Sequence, residues 1–296
     1  MKADSIASTI GNFNAERYSR VPLPWWPISQ QRAIARYLDR ETTRISTLIT
    51  AKHKAVALLH ERFRSAIFHE ITGGDTAGPD RKESGLEWAE TIPVDWATPP
   101  VAANFEVQLG KMLNPAASAG LDQRPYLRNV NVQWDRFDLD DVATMHFGSN
   151  DQRIYSLRAG DLLVCEGGEV GRAAIWQEEL PECYFQKALH RLRPKGEANP
   201  RYLLYCLWGA ANHGVFAVEG NLSTIVHLTR EQLMAHRFPW PPARRQQEIV
   251  ARLDALGATT RSAIARIERQ IELLQERRQA LITAAVTGEL DIPGAG

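Results

Sequence analysis

The stretch PWPPARRQQEIVARLD at residues 239–254 restates PWWPISQQRAIARYLD at residues 24–39, and the fold follows from that duplication. Held at one offset of 215 without a gap, the two copies share 19 identities over the 66 positions from 8 to 73. Pro24, Trp25, Pro27, Gln31, Ile34, Leu38 and Asp39 meet Pro239, Trp240, Pro242, Gln246, Ile249, Leu253 and Asp254. Farther along, Leu58-Leu59 meets Leu273-Leu274, Glu61-Arg62 meets Glu276-Arg277, and Thr72-Gly73 meets Thr287-Gly288. Upstream, Ser8-Thr9-Ile10 meets Ser223-Thr224-Ile225. Matches at a fixed spacing mark a repeated structural unit.

Each copy reads as one long helix. Prolines stop at Pro27 and Pro242 and return only at Pro79 and Pro293. Proline is tolerated at a helix start and not in its interior. Gly73 and Gly288 stand where a helix stop is expected. A helix over residues 29–72 would be about 65 Å long. In the second copy Ile249, Leu253, Leu256, Ile264, Ile267, Ile271, Leu274 and Leu281 recur mostly at steps of three and four, a coiled-coil seam. The eight-residue step from Leu256 to Ile264 reads as a stutter near Thr260. Two such stripes separated by a folded segment predict an antiparallel helix pair. The other arrangement packs each stripe on the globular domain.

Between the helices the pattern changes. Strands are expected over 105–109, 125–132, 153–157, 162–165, 173–176 and 188–192, and helices over 200–208 and 229–235, the second capped by Thr229. The expected fold is therefore α+β: one mixed domain over 75–238, flanked by long helices at 24–74 and 239–290, with residues 1–23 as the tail of a truncated domain.

The 296 residues carry 35 basic and 35 acidic side chains. The zero sum is segregated as +4 over 1–75, −5 over 76–238 and +1 over 239–296. Binding through bulk positive charge is excluded, and binding through local basic strips is not. Cys165, Cys183 and Cys206 lack disulfide or zinc-ligand spacing. With no apolar leader and no run of about 18 apolar residues, the expectation is a soluble cytoplasmic protein without a membrane partner. Gly167-Gly168-Glu169-Val170-Gly171 lacks the GxxxxGK[ST] pattern and reads as a tight turn. Asp161 and Glu166 make a poor nuclease pair, with no lysine at nuclease spacing after Glu166. No catalytic residue and no metal site is nominated. Residues 183–195 hold Lys187, Arg191, Arg193 and Lys195 without an acid, and residues 123–134 hold Arg124 and Arg128 beside Asn129, Asn131 and Gln133. Arginine and lysine reach phosphates, while Arg, Asn and Gln can read purine edges. A solvated sheet face is the competing reading of the same residues.

The P-W-x-P…QQ…LD openings, the LLxER segments and the closing AVTGEL (285–290) resemble the specificity subunit of type I restriction–modification systems. So do PYLRNVNVQWDRFDLDD (125–141), LRAGDLLVCEGGEVGRAAIW (157–176) and CYFQKALHRLRPK (183–195). The resemblance implies a non-catalytic target recognition domain reading half of a split double-stranded DNA site. It implies helices that set the spacer and dock modification subunits, with S-adenosylmethionine, ATP and Mg on partner modification and restriction subunits. Such subunits have two recognition domains and this chain has one, so a homodimer through the long helices is a further expectation. On the matching segments the DNA contacts nominated are Lys111, Arg124, Arg128, Asn129, Arg153, Arg172, Gln186, Lys187 and Arg191. The rival classes are a stand-alone nuclease or methyltransferase and a coiled-coil scaffold.

Overall fold

A computed structural model describes residues 24–74, 80–113, 122–218 and 227–293. Residues 1–23, nominated as a domain tail, lie outside the described residues. The chain divides into two units, 1–59 with 262–296, and 60–261.

Helix α1 spans Ile28–Ile71 and helix α7 spans Ala243–Thr287. Both stop at the predicted glycines, Gly73 at φ 89° and Gly288 at φ 85°, a backbone geometry that side chains with a Cβ adopt at a cost. The helices pair antiparallel in each unit. In the first, Trp26 Nε1 donates to the Val286 carbonyl at 3.2 Å and Lys52 bonds Gln270. In the second, Arg252 forms a two-pronged bridge to Glu70 at 2.9 and 2.6 Å, and Phe63 packs on Gly257.

The expected stutter is corrected. Along α7 the buried positions Gln246, Ile249, Leu253, Gly257, Thr260, Ile264 and Ile271 keep regular steps of three, four and seven. Gly257 and Thr260 occupy seam positions that a count of apolar residues alone skips. A Cβ on Gly257 would meet the Phe63 ring at 3.0 Å, so the small residue admits the large one.

In the second unit β1 (Arg81–Glu83) and β2 (Thr91–Pro93) form a hairpin. After the short α2 (Val101–Asn104), β3 (Phe105–Leu109) enters a four-stranded antiparallel sheet ordered β3-β11-β8-β9, with β8 Leu162–Cys165, β9 Ala173–Ile175 and β11 Leu189–Pro194. A three-stranded sheet runs β10-β4-β7, from Tyr184–Phe185, Gln123–Leu127 and Ala143–His146; β4 is parallel to β10 and antiparallel to β7. β5 (Val132–Gln133) and β6 (Arg136–Phe137) form a second hairpin. Helix α4 (Pro200–Asn212) is N-capped by Asn199, α5 is Val215–Val218, and α6 (Arg230–Ala235) carries the predicted Thr229 cap, whose hydroxyl accepts from Gln232 N while Gln232 Oε1 accepts from Thr229 N.

Two sequence expectations shift. The strand expected over 153–157 is instead helix α3, Ser149–Tyr155, because Asp151 accepts the Gly148 N–H and satisfies its first turn. The strand expected over 125–132 ends at Leu127 and turns into a 3-10 helix, Asn129–Asn131. The core joins sheet and helix: Phe105, Tyr202, Leu203, Phe238 and Leu192 pack with Ile67, Ile71, Ile249 and Leu253. Arg201 ties the same parts together through Asp135, Asp254 and Tyr205.

Candidate nucleic-acid interface

Three chain segments leave the sheets side by side and in the same direction. β4 and β10 are parallel, and Lys111, just past β3, forms a parallel bridge with Gln186, just past β10. Lys111 N donates to Phe185 O at 3.1 Å, Lys187 N to Lys111 O at 2.8 Å, and Gln186 N to Leu127 O at 3.0 Å. The approach is so close that a Cβ on Gly110 would overlap the Gln186 carbonyl, which is why glycine stands there. Residues 111–113, 128–131 and 186–188 therefore emerge along one edge.

The β8–β9 turn joins this edge. Glu166 N donates to Ala188 O at 2.9 Å, and Asn129 Nδ2 donates to Gly167 O at 2.8 Å. Arg172 Nη2 donates to the Asn129 side-chain oxygen at 2.8 Å and to its carbonyl at 3.1 Å. The glycines of the turn thus shape a tight corner beside Asn129, as its sequence suggested. Ala188 holds φ at 87° within the turn that closes Leu189 N onto Gln186 O at 3.1 Å. Left-handed backbone at a non-glycine residue is costly and gathers at functional edges.

Of the nine nominated residues, six meet along this edge: Lys111, Arg128, Asn129, Arg172, Gln186 and Lys187. Their chemistry divides. The Lys187 side chain is exposed and has no partner among the described residues, so its ammonium is available. Gln186 is half-buried with its Oε1 buried and unpaired, which leaves its amide NH2 as the group it can offer. Arg128 holds Asp141 at 2.8 Å. Lys111 turns inward, donating to His146 O at 2.6 Å and Asp151 at 2.7 Å over the Phe147 ring. It positions the edge rather than facing out from it.

The other three lie elsewhere. Arg124, at the opposite end of β4, is held between Asp122 and Glu182. Arg153 is exposed on α3 and donates to Asn150. Arg191 is corrected outright: only 3% exposed, it is a sheet-interior side chain that donates to the carbonyls of Ile154 and Ser156 at 2.8 and 3.0 Å, and burial lowers its pKa. A charge strip read along β11 does not reveal burial: residues 189–192 are all buried, and the chain at the end of α3 covers Arg191 through the Ile154 and Ser156 carbonyls.

Sequence reasoning missed the apolar members of the edge. Met112, Leu113 and Val130 are exposed at 65%, 47% and 61%, on the segments that leave β3 and β4. Exposed apolar side chains there suit contact with a thymine methyl or a base face. Their sequence signal was weak, since single apolar residues beside turns are common. Asp161, considered as a nuclease carboxylate, is 1% exposed and bound by Arg193 at 2.7 Å. Among the described residues no group of three or more His, Cys, Asp or Glu is placed to hold a metal ion.

Known proteins are similar to this chain, the reported solved structures over 96% and 97% of it. A type I restriction enzyme specificity subunit of Escherichia coli, EcoKI, is 21% identical over 295 residues, covering 97% of this chain and 61% of its own. The EcoBI specificity subunit of the same species is 33% identical over 132 residues, covering 44% of this chain and 27% of its own. Among solved structures, a chain described under the assembly and conformational transition of the type I R-M system matches with a TM-score of 0.74 at 17% identity, over 96% of this chain and 66% of its own. The HsdS subunit of Thermoanaerobacter tengcongensis matches at 0.56 and 18%, over 97% and 66%. The chain thus spans less than two thirds of these relatives. The model of the type I restriction modification DNA specificity domain matches residues 106–273, more than half of the 296 residues, and the chain belongs to that family.

Proposed function

We propose that this chain is a non-catalytic DNA-reading subunit that recognises half of a split double-stranded site through the edge formed by residues 111–113, 128–131 and 186–188. Its long helices dock modification subunits, and S-adenosylmethionine, ATP and Mg act on the partner chains. The observation that carries the reading is the convergence of three parallel chain exits, with Lys187 and Gln186 presented beside exposed Met112, Leu113 and Val130. The test is reconstitution with a modification subunit and mapping of the methylated sequence. Lys187→Ala and Val130→Ala should lower methylation at the mapped motif; unaltered methylation by both contradicts the assignment.

The duplication supports a second recognition domain. In the second copy, Trp240 stands edge-on to Phe105 and Tyr202, Leu253 and Ile249 are fully buried, and Asp254 accepts from Arg201. In the first copy, the matching Trp25 is 91% exposed, Asp39 is exposed, and Ile34 and Leu38 are half-buried. Residues retained in both copies but covered in one fit a surface awaiting a domain of the same build. The stripes are already satisfied within the chain, so a homodimer would form by exchange onto the first-copy face rather than by pairing free seams. Light scattering at micromolar concentration tests it: a dimer weakened by Asp39→Arg supports the second copy as supplier, and a strict monomer contradicts it and leaves a separate chain.

A further inference from the structure

The first copy of the repeat carries a feature the second lacks. Arg32, Arg36, Arg40 and Arg44 recur one turn apart on α1, and all four are exposed. Residues four apart are neighbours on a helix surface, so the row spans about 18 Å, and its members repel one another. Arg40 alone has relief, from Glu41 at 3.1 Å and the Tyr37 ring. Arg32, Arg36 and Arg44 have no ionic or hydrogen-bond partner among the described residues.

The matching positions of α7 are Gln247, Ala251, Ala255 and Thr259. A paired helix of this repeat therefore forms without such a row. The arginines that α7 does carry nearby are paired: Arg244 and Arg245 with Glu248, and Arg252 with Glu70. One copy neutralises its early arginines and the other leaves Arg32, Arg36 and Arg44 bare. A local repulsion kept without compensation points to an external anion.

We propose that this row on α1 grips the phosphate backbone of duplex DNA, as a sequence-independent contact separate from the reading edge. It rests on the chain being a DNA-binding subunit. Guanidinium groups pair with phosphate oxygens in two-pronged fashion, and four at regular pitch match an anion that repeats along a line. An acidic protein face would also attract the row. DNA is favoured because the family model that the chain matches is that of a DNA specificity domain.

The experiment is a salt titration of duplex binding by the full chain, wild type against R32Q/R36Q/R40Q/R44Q. Each phosphate contact contributes about 0.9 to the slope of log affinity against log salt. Loss of the four contacts should flatten the slope by about 3.6 and weaken binding to every sequence alike. Single R36Q and R44Q variants, each expected to lower the slope by about 0.9, serve if the quadruple variant does not fold. An unchanged slope overturns the proposal, as does unchanged DNA binding with lost capture of a modification subunit, which would assign the row to an acidic protein. If the row variants bind as wild type while Lys187→Ala does not, the grip fails and the reading edge stands.

Discussion

Replacing Arg201 with alanine should be the most destabilising single change outside the apolar core. Its guanidinium reaches Asp135 with both terminal nitrogens, Asp254 Oδ1 at 2.8 and 2.7 Å, and the Tyr205 hydroxyl at 3.3 Å. The side chain is 23% exposed, Asp135 16% and Asp254 43%. Breaking a fully buried pair costs about 3–5 kcal/mol, while exposed pairs contribute about 1 kcal/mol or less. The Asp135 arm lies near the buried limit, discounted for partial exposure to about 2 kcal/mol, and the Asp254 arm near the exposed one, so the sum is about 3 kcal/mol. For a unit of some 200 residues this lowers Tm by about 6–10 °C. Thermal unfolding followed by circular dichroism reads it. A double-mutant cycle with Asp254→Asn should give a cost of about 1 kcal/mol or less in the wild type and nearly none beside Arg201→Ala. A shift under about 2 °C would refute the view that this arginine clamps the β5–β6 turn to α7.

Three further outcomes follow from single positions. Burial among Phe238 and Phe216 lowers the His236 pKa to about 4. The unfolded chain then binds the extra proton first, so this contribution is complete above about pH 6.5 and is lost as pH falls toward 4, about 3 kcal/mol in all; denaturant midpoints of wild type and His236→Phe over pH 4–7 should show a shallower pH dependence in the variant, and parallel curves would contradict it. Gly110→Ala should cost about 1–3 kcal/mol, because its Cβ meets the Gln186 carbonyl and Lys187 N; a Tm equal to wild type argues against the close approach of β3 to β10. Lys187→Ala should leave Tm within about 1 °C, since the side chain is exposed, while flattening the salt dependence of DNA binding by about 0.9; a lost fold or an unchanged slope counts against it.

The helices were legible because duplication and proline placement act over tens of residues: α1 begins and ends within a residue of the expected 29–72, and α7 does so at the positions 215 residues on. β3 was legible as an alternation of apolar and polar residues, and β8 as an apolar run between turns. The two-residue strand β10 and the short mixed strand β7 were not, because each is too short to show a period and is fixed by its pairing with β4. Arg191 misled because charge alone does not reveal burial. Six nominated residues converged because they flank turns, and turns at parallel strand ends share an edge. Val130, Met112 and Leu113 stayed hidden, since exposure of an apolar residue is a tertiary fact.

Amide hydrogen exchange of the full chain with and without duplex DNA carrying its mapped half-site tests the central claim most directly. The account predicts protection concentrated at 111–113, 128–131 and 186–188, with little change at 153–157 or at Arg191. Protection confined to other surfaces, leaving that edge as exchangeable as in the free chain, would contradict it.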